Sequence, residues 1–357
     1  MHEQRLIFKN FKGIIDSTLR EGFQFAKANF SLSEQRRIFS YLKDIGLDYV
    51  EVGNPVRNEI QEMVLALIKS RKEKSARILC HIRNHERDVR KAVESAADGI
   101  NILCTVDPER LTGMNVTYQE YGKRLCQNIE MAKKNSLEVR VGVEDYFNQP
   151  LDRSFEVYRL AESLEAERIS AADTLGKAMN WEVSKRIKEL RRQFSLDIEV
   201  HFHNDLGHAV SNAIVALQSG ANWVSTSLLG IGERTGITPL SSLLLNLYVL
   251  SPELTRKYNL ALLTQAENYV SRICRIEMPP HLMTNPANGF AHKAGIHLNA
   301  LMRFGPHKYE LLPPQLIGNK RNLIIDSLIS GRTQPEEMKE FNKRWEDSAR
   351  DSKRNSI

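Results

Sequence analysis

Two histidines at the end of a predicted strand are the residues of this chain best suited to bind a metal ion. Residues 194–200 have the composition of a strand, and they lead directly into His201-Phe202-His203. Because strand side chains alternate between two faces, His201 and His203 point the same way. Two adjacent imidazoles can bind one metal ion, although two unconnected polar side chains would fit the same pattern. The pair therefore predicts a metal site if other segments supply further ligands.

Polar residues also follow several of the other predicted strands. Glu21, after the first strand, can give a carboxylate oxygen to a divalent cation, and Arg20 can bind a carboxylate or an oxyanion. A surface ion pair at the start of a helix is the alternative for these two residues. The ends of further predicted strands carry His81, Arg140, Glu144, Asp173 and Thr174. Together these residues predict acids, bases and an anion-binding arginine at one mouth, although Asp173 alone could only cap the next helix.

The segments that carry these residues alternate between strand and helix. Amphipathic helices are predicted over 33–44, with Ser33 as N-cap, and over 154–164 and 208–217. Strands are predicted over 13–16, 49–52, 77–82, 100–104, 138–143, 168–171, 198–203 and 223–227. Eight strand–helix units favour a closed (β/α)8 barrel over an open doubly wound sheet, since no G-x-G-x-x-G follows the first strand. A barrel also collects residues at strand C-termini into one site.

The remainder of the chain is organised differently. We predict a catalytic barrel over residues 1–250 and a C-terminal extension over 251–357. The extension begins with a helix-rich connection, continues in a small subdomain and ends in a charged tail from Gln334 that we predict to be disordered at its end. Before it, the glycines of residues 230–236 can form an anion-binding loop or a tight turn in which Glu233 and Arg234 are structural.

Composition excludes several classes of protein. The 357 residues are 41% hydrophobic and 26% charged, which is typical of a globular protein with a large core. The four cysteines form no C-x-x-C pair, and no apolar run approaches the ~20 residues of a membrane span. With no signal peptide at the N-terminus, these features predict a cytoplasmic protein. The net charge of +6 comes from basic residues interleaved with acids, which favours small acidic substrates over nucleic acid.

Four motifs in order resemble the acyl-CoA-dependent 2-alkylmalate synthases, a metal-dependent family with a DRE-TIM type barrel. They are DSTLREG (16–22), HFHND (201–205), GIGERTGITPL (230–240) and HKAGIH (292–297). The resemblance extends over residues 11–332 and is strongest to the homocitrate synthases. Isopropylmalate synthases usually have Asp and Asn where this chain has Glu21 and Ile237, and too few residues follow Arg332 for their allosteric domain.

The resemblance implies roles for eleven residues. Metal ligands would be Glu21, His201 and His203, binding Zn²⁺, Mg²⁺, Mn²⁺ or Fe²⁺. Arg20 would stabilise the alkoxide, and the 2-oxo acid would contact Gln24, His81, Arg140 and Thr174, with Arg140 near its distal carboxylate. Proton transfer would involve Glu144 and His297. Finally, His297 and Tyr309 would reach the neighbouring active site in a swapped homodimer.

The implied reaction is an acyl transfer in which acetyl-CoA condenses with a 2-oxo acid and the thioester is then hydrolysed. The expected oxo acid is 2-oxoglutarate, giving homocitrate. Phe23 and Gly142 stand where these enzymes usually have Glu and Ser, so oxaloacetate, pyruvate or 2-oxoisovalerate is the alternative substrate. A lyase of the hydroxymethylglutaryl-CoA type and a non-catalytic barrel are further alternatives. The segment 292–297 argues against the lyase, and the intact set of metal-site residues argues against the inactive barrel.

Overall fold

A closed barrel of eight parallel strands forms the larger part of the fold. The computed structural model describes residues 8–71, 76–324 and Phe341. The strands follow one another around the barrel in chain order, and β1 closes it by pairing with β8. They are β1 (Gly13–Asp16), β2 (Tyr49–Val52), β3 (Arg77–Arg83), β4 (Gly99–Cys104), β5 (Glu138–Val143), β6 (Arg168–Asp173), β7 (Asp197–Phe202) and β8 (Trp223–Thr226). The predicted (β/α)8 barrel is confirmed.

Helices follow each barrel strand and cover the outside of the barrel. They are α1 (Leu32–Ile45), α2 (Asn58–Ser70), α3 (Glu86–Glu94), α4 (Pro108–Gly113), α5 (Tyr118–Lys134), α6 (Leu151–Ser163), α7 (Asn180–Gln193), α8 (Ala209–Gln218) and α9 (Leu240–Leu250). The predicted start of α1 was wrong, because Ser31 and not Ser33 is the N-cap. Ser31 and Glu34 form a reciprocal capping box there, and Gly46, at φ 94°, ends the helix.

The two faces of the barrel strands bury different kinds of side chain. Apolar residues such as Ile14, Val50 and Val200 face the helices and are fully buried. The interior instead holds charged side chains, among them Glu51, Arg140 and Glu199, which is unusual because branched apolar residues dominate most such barrels. Buried ions are tolerated when they are paired, and breaking such a pair is costly. The interior charges of this barrel are accordingly joined in ion pairs.

The end of the barrel at the strand N-termini is closed by a cluster around one arginine. Arg168 packs against the rings of both Tyr49 and Trp223, with its guanidinium carbon 4.4 Å from each ring centroid, and the two rings contact each other edge to face at 5.2 Å. It also donates a 2.6 Å hydrogen bond to Glu138. These four residues are the first of their respective strands. The cluster leaves the opposite end, at the strand C-termini, as the open mouth.

The described residues group into two compact units. The first comprises 8–71, 76–258 and Ile273–Arg275, and the second comprises Asn259–Arg272 and the described residues from Ile276 onward. The second unit includes most of α10 (Leu263–Ile273), α11 (Gly295–Phe304) and a two-stranded sheet of β9 (Ala291–His292) and β10 (Asn322–Leu323). None of the helices in the described ranges has the length and apolar character needed to cross a bilayer. Apart from Phe341, the predicted charged tail falls outside the described residues.

Candidate active site

A polar cavity of about 220 Å³ opens at the C-terminal ends of the barrel strands. Nine of the eleven predicted site residues line it. They are Arg20, Glu21, Gln24, His81, Arg140, Glu144, Thr174, His201 and His203. The other two, His297 and Tyr309, belong to the second unit. Strands far apart in the sequence thus bring the predicted residues to one cavity, as expected at the C-terminal end of a (β/α)8 barrel.

Glu21, His201 and His203 form a cluster that can hold a metal ion. One ligand atom from each residue lies within 4.8 Å of the others, and all three side chains are buried. His201 is in β7, and His203 follows that strand with a single bridge to Ile237. The Nε2 atom of His201 lies 3.9 Å from Oε2 of Glu21. Two nitrogens and one carboxylate oxygen form a donor set that suits zinc, manganese or iron.

Both imidazoles are held in the neutral form that binds metals. Burial, followed by the charge of Arg20, keeps the pKa of His201 well below its usual range. Burial also lowers the pKa of His203, despite the opposing influence of Glu21. The Nδ1 atom of His203 is buried and has no hydrogen-bond partner among the described residues. A buried nitrogen without a partner is costly, so this atom is a natural ligand position.

Glu21 is kept ionised by its neighbours. Burial alone would raise its pKa, but Arg20, the two imidazoles and a backbone amide together lower it to about 2. Arg20 is the permanent charge among them, and its guanidinium also donates to Glu51 at 2.7 Å. When the Gln24 amide is turned so that its nitrogen faces Glu21, the nitrogen donates to the two carboxylate oxygens of Glu21 at 3.0 and 3.2 Å. Because Glu21 is 1% exposed, the surface ion pair considered for this segment was wrong.

The glycine-rich loop after β8 covers the Glu21 carboxylate. The amide of Glu233 donates a 3.0 Å hydrogen bond to Oε1 of Glu21. A Cβ on Gly232 would stand only 2.7 Å from Cγ of Glu21, so the close approach requires glycine. Arg234 makes two 2.8 Å bonds to Asp205 and a 2.7 Å bond to the carbonyl of Thr174. These bonds fit the structural alternative for this loop, but Arg234 also lines the cavity, and anion binding by the loop stays a prediction.

Arg140 lies deeper in the barrel than its predicted position at the end of β5. It is the third residue of that six-residue strand and is 1% exposed. Its guanidinium pairs with Glu199, at 2.5 and 2.6 Å, and with Glu51. Only its Nε atom lacks a partner among the described residues. The side chain therefore forms the floor of the cavity, with its charge already shared by two carboxylates.

The remaining wall residues differ in how firmly they are held. Glu144 pairs with Arg110 at 2.8 Å, and burial raises its pKa despite that arginine. The Thr174 hydroxyl accepts a hydrogen bond from the amide of Asp145 at 2.9 Å. The alternative that Asp173 is an N-cap was wrong. It accepts bonds from the amides of residues 177 and 178, whereas α7 begins at Asn180.

In the second unit, His297 and Tyr309 are stacked on one another. Their ring centroids are 3.9 Å apart and their planes are inclined by 25°. His297 lies on α11, and both rings are exposed. Buried contacts nearby hold the segment in shape, since Glu310 accepts from Arg321 at 2.5 and 2.7 Å and lies 3.4 Å from Nε2 of His292.

Sequence reasoning missed several residues that line or support the cavity. Glu51, Asn101 and Glu199 all line it, and Ser225 accepts or donates a 3.0 Å bond at Nδ1 of His201. Asn101 pairs with His81 and Arg140 on the neighbouring strands, and Glu199 shares a strand face with His201. That alternation was the available signal, because Glu199 lies two residues before His201.

Comparison with known proteins identifies the family. The HMGL-like family matches residues 12–270, and the "Homocitrate synthase post-HMGL domain-like" family matches residues 286–349. The mitochondrial homocitrate synthase of Saccharomyces cerevisiae is 38% identical over 330 residues, which cover 90% of this chain and 73% of the relative. The chain belongs to the homocitrate synthase family. The homocitrate synthase of Pyrococcus horikoshii is a second relative, 32% identical over 88% of this chain and 86% of that protein.

Among solved structures, a hydroxymethylglutaryl-CoA lyase from Acinetobacter baumannii shares the fold. Its TM-score is 0.69 at 18% identity, covering 80% of this chain and 98% of the lyase. At this level of identity the likeness concerns the fold alone. Homocitrate synthases of S. cerevisiae include mitochondrial and cytosolic isozymes. The cytoplasmic location of this member of the family stays a prediction.

Proposed function

We propose that the chain condenses acetyl-CoA with the 2-oxo acid 2-oxoglutarate to give homocitrate and free CoA. The buried Glu21–His201–His203 cluster at the barrel mouth, with Arg20 beside it, carries the proposal. Membership of the homocitrate synthase family supports the choice of reaction and of oxo acid. Acetyl-CoA and the oxo acid are both anionic, which agrees with the basic net charge of the chain.

The residues present fit a divalent metal ion. His203 has a buried nitrogen with no other partner in the described part of the chain, and Glu21 is ionised. We propose that these two residues and His201 hold the ion. An ion bound there would polarise the keto group of the 2-oxo acid as a Lewis acid.

The reaction forms one carbon–carbon bond and breaks one thioester. A base removes a methyl proton from acetyl-CoA, and the resulting carbanion adds to the keto carbon of the oxo acid. The keto oxygen becomes an alkoxide and then takes up a proton. Water cleaves the thioester, which releases CoA as a thiol and leaves a carboxylate. Arg20 is positioned at the cluster to stabilise the alkoxide, and removing such a donor commonly costs about 3–4 kcal/mol.

Proton transfer is assigned to Glu144 and to the second unit. Burial raises the pKa of Glu144, which favours its protonated form and suits a carboxyl group that exchanges protons. We propose that His297 and Tyr309 act in the cavity of a neighbouring subunit, in a homodimer with swapped C-terminal segments. The exposure of both rings supports this assignment, since a stacked and exposed pair is available to a partner.

Selection of the oxo acid is assigned to Gln24, His81, Arg140 and Thr174. Arg140 would bind the distal carboxylate of 2-oxoglutarate from the cavity floor, where it is already paired with Glu51 and Glu199. Gly142, which lines the same wall, offers no hydroxyl to that carboxylate. A shorter oxo acid such as oxaloacetate or pyruvate is therefore the alternative substrate.

Release of free CoA tests the proposal. The chain is incubated with acetyl-CoA, a divalent metal and 2-oxoglutarate, oxaloacetate, pyruvate or 2-oxoisovalerate in turn. We expect the fastest release with 2-oxoglutarate and none without metal. No release with any oxo acid would refute the proposed reaction, and production of acetyl-CoA from hydroxymethylglutaryl-CoA would favour a lyase instead.

A further inference from the structure

Glu51 is a buried carboxylate to which no role has been assigned. It lies in β2, is 1% exposed and lines the cavity. Oε1 accepts a 2.7 Å bond from Nε of Arg20, and Oε2 pairs with the guanidinium of Arg140. A carboxylate paired with two guanidinium groups can only accept hydrogen bonds. Every other group that bonds to Glu51 must therefore donate, and this fixes the direction of the hydrogen bonds beyond it.

One hydrogen-bond chain leads from Glu51 to His201. Ser17 donates to Oε1 of Glu51 at 3.2 Å, which uses its only hydroxyl proton. The Ser225 hydroxyl, 3.1 Å from Ser17, must then donate to Ser17. Nδ1 of His201 lies 3.0 Å from the Ser225 oxygen and can only donate to it. His201 therefore carries its proton on Nδ1, and in the neutral ring Nε2 has a free lone pair.

A second chain leads from Glu51 to His81. The side-chain amide nitrogen of Asn101 lies 3.4 Å from Oε2 of Glu51 and 2.9 Å from Nδ1 of His81. The reverse orientation of the amide would place its oxygen against the carboxylate, so the nitrogen faces both groups. Its two protons then go to Glu51 and to His81. Nδ1 of His81 is an acceptor, and the ring proton is on Nε2.

We propose that Glu51 is a positioning residue that sets opposite tautomers of His201 and His81 through these two chains. Nε2 of His201, which faces Glu21 at 3.9 Å, is left free to bind a cation. Nε2 of His81 is left as a donor to a ligand oxygen. Metal-binding histidines commonly have their free nitrogen fixed by such an outer partner. The use made of the two rings rests on the proposed function, whereas the tautomers do not.

The positions of both rings agree with these assignments. His81 lines the cavity and is 19% exposed, so its donor can reach a bound ligand. Burial, followed by the charge of Arg20, lowers the pKa of His81 to about 3, which keeps the ring neutral. A neutral ring carries a single proton, and that proton cannot be shared between the two nitrogens.

Nitrogen-15 NMR of the full chain with labelled histidine, before metal is added, tests the tautomers directly. A protonated ring nitrogen and an unprotonated one resonate in separate ranges, and His81→Gln and His201→Gln identify the two signals. We expect the proton on Nδ1 of His201 and on Nε2 of His81. The proton on the other nitrogen of either ring would overturn the proposal, whatever the chain catalyses.

Each of two variants interrupts one of the two hydrogen-bond chains, so each serves as the control for the other. Ser17→Ala should mix the tautomers of His201 and leave those of His81 unchanged, because it frees the Ser225 proton. Asn101→Ala should mix the tautomers of His81 and leave His201 unchanged. Ser225→Ala interrupts the hydrogen-bond chain to His201 at a second point. Changes that appear in both rings together, or in neither, would overturn the proposal.

Titration with Mn²⁺ alone, followed by electron paramagnetic resonance, links the tautomer to metal binding. Ser17→Ala should weaken binding ~10- to 100-fold, as loss of an outer partner of a metal-binding histidine does. Asn101→Ala should bind as tightly as the parent chain. Equal losses in both variants would overturn the link. If the parent chain binds no Mn²⁺ while the tautomers are as expected, the metal site of the proposed function fails and the positioning role of Glu51 stands.

Discussion

Introducing a serine at position 142 should reveal what selects the oxo acid. Gly142 lies in β5 on the cavity wall, and a Cβ built on it would be 3.3 Å from Oδ1 of Asn101 and 3.5 Å from Cβ of Ser170. Oδ1 of Asn101 has no hydrogen-bond partner among the described residues. The wall therefore has room for one small side chain if Asn101 yields by a few tenths of an ångström. A serine hydroxyl there can donate to Asn101 or to a carboxylate on the ligand.

The expected effects of Gly142→Ser on stability and on substrate binding differ in size. Replacing a strand glycine gains roughly 0.5–1 kcal/mol, which offsets the tight contact, so unfolding by urea should change by less than about 1 kcal/mol. A hydrogen bond to a charged group contributes about 1.5–3 kcal/mol. At 1.4 kcal/mol per factor of ten, KM for 2-oxoglutarate should fall about tenfold or more. Pyruvate has no distal carboxylate, and its KM should not improve.

Steady-state CoA release with each oxo acid measures this difference, and Gly142→Ala is the matched control. The alanine adds the same Cβ without the hydroxyl, so it should leave KM for 2-oxoglutarate unimproved. An equal fall in KM for the serine and alanine variants would refute the reasoning. So would an equal gain for pyruvate, since the hydroxyl would then not be acting on a distal carboxylate.

Three further predictions concern other parts of the site. Arg140→Ala should destabilise the chain in urea by about 3–5 kcal/mol, because it leaves two buried carboxylates without this partner, and should impair dicarboxylic oxo acids more than pyruvate. An equal loss of activity with dicarboxylic oxo acids and with pyruvate would show that Arg140 does not select the substrate. Unfolded His81 takes up a proton below its ordinary pKa of 6.5, whereas the folded pKa is about 3. The free energy of unfolding should thus fall by at most ~2 kcal/mol between pH 7 and 5. In urea unfolding at several pH values, His81→Gln should lack this contribution to the pH dependence. Gly236, at φ 80°, has no room for a Cβ beside the carbonyl of Gly230, so Gly236→Ala should lower the melting temperature and weaken Mn²⁺ binding. Unchanged values of both would contradict a structural role for this glycine.

The elements of the barrel were predictable where short β-rich runs lie between clear helix and turn signals. The ends of β1, β2 and β5 agree with the sequence prediction residue for residue. β6 was predicted to end at Ala171 but continues to Asp173, because it goes on pairing with β7 up to Phe202. Pairing with a distant strand sets such an end, and local composition does not contain that information.

The gathering of strand-end residues around one cavity could be predicted from the sequence, whereas the charges inside the barrel could not. Alternation placed His201 and His203 on one face, and the other motifs of the chain then favoured a metal site there. Glu51 was not, because alternation shows which residues share a face but not that the face is the barrel interior. Burial of a carboxylate is unfavourable without partners, and its partners Arg20 and Arg140 are 31 and 89 residues away in the sequence. Only the closed sheet brings these charges together.

The nature of the product tests the central proposal most directly. Acetyl-CoA labelled with carbon-13 in both acetyl carbons is incubated with 2-oxoglutarate, Mn²⁺ and the chain, and the product is analysed by mass spectrometry. The proposed reaction predicts homocitrate that carries both labelled carbons, formed in equal amount to free CoA. His203→Ala, which removes one of the three proposed metal ligands, should abolish it. Free CoA without labelled homocitrate, or the same yield from the His203→Ala variant, would contradict the proposed reaction at this site.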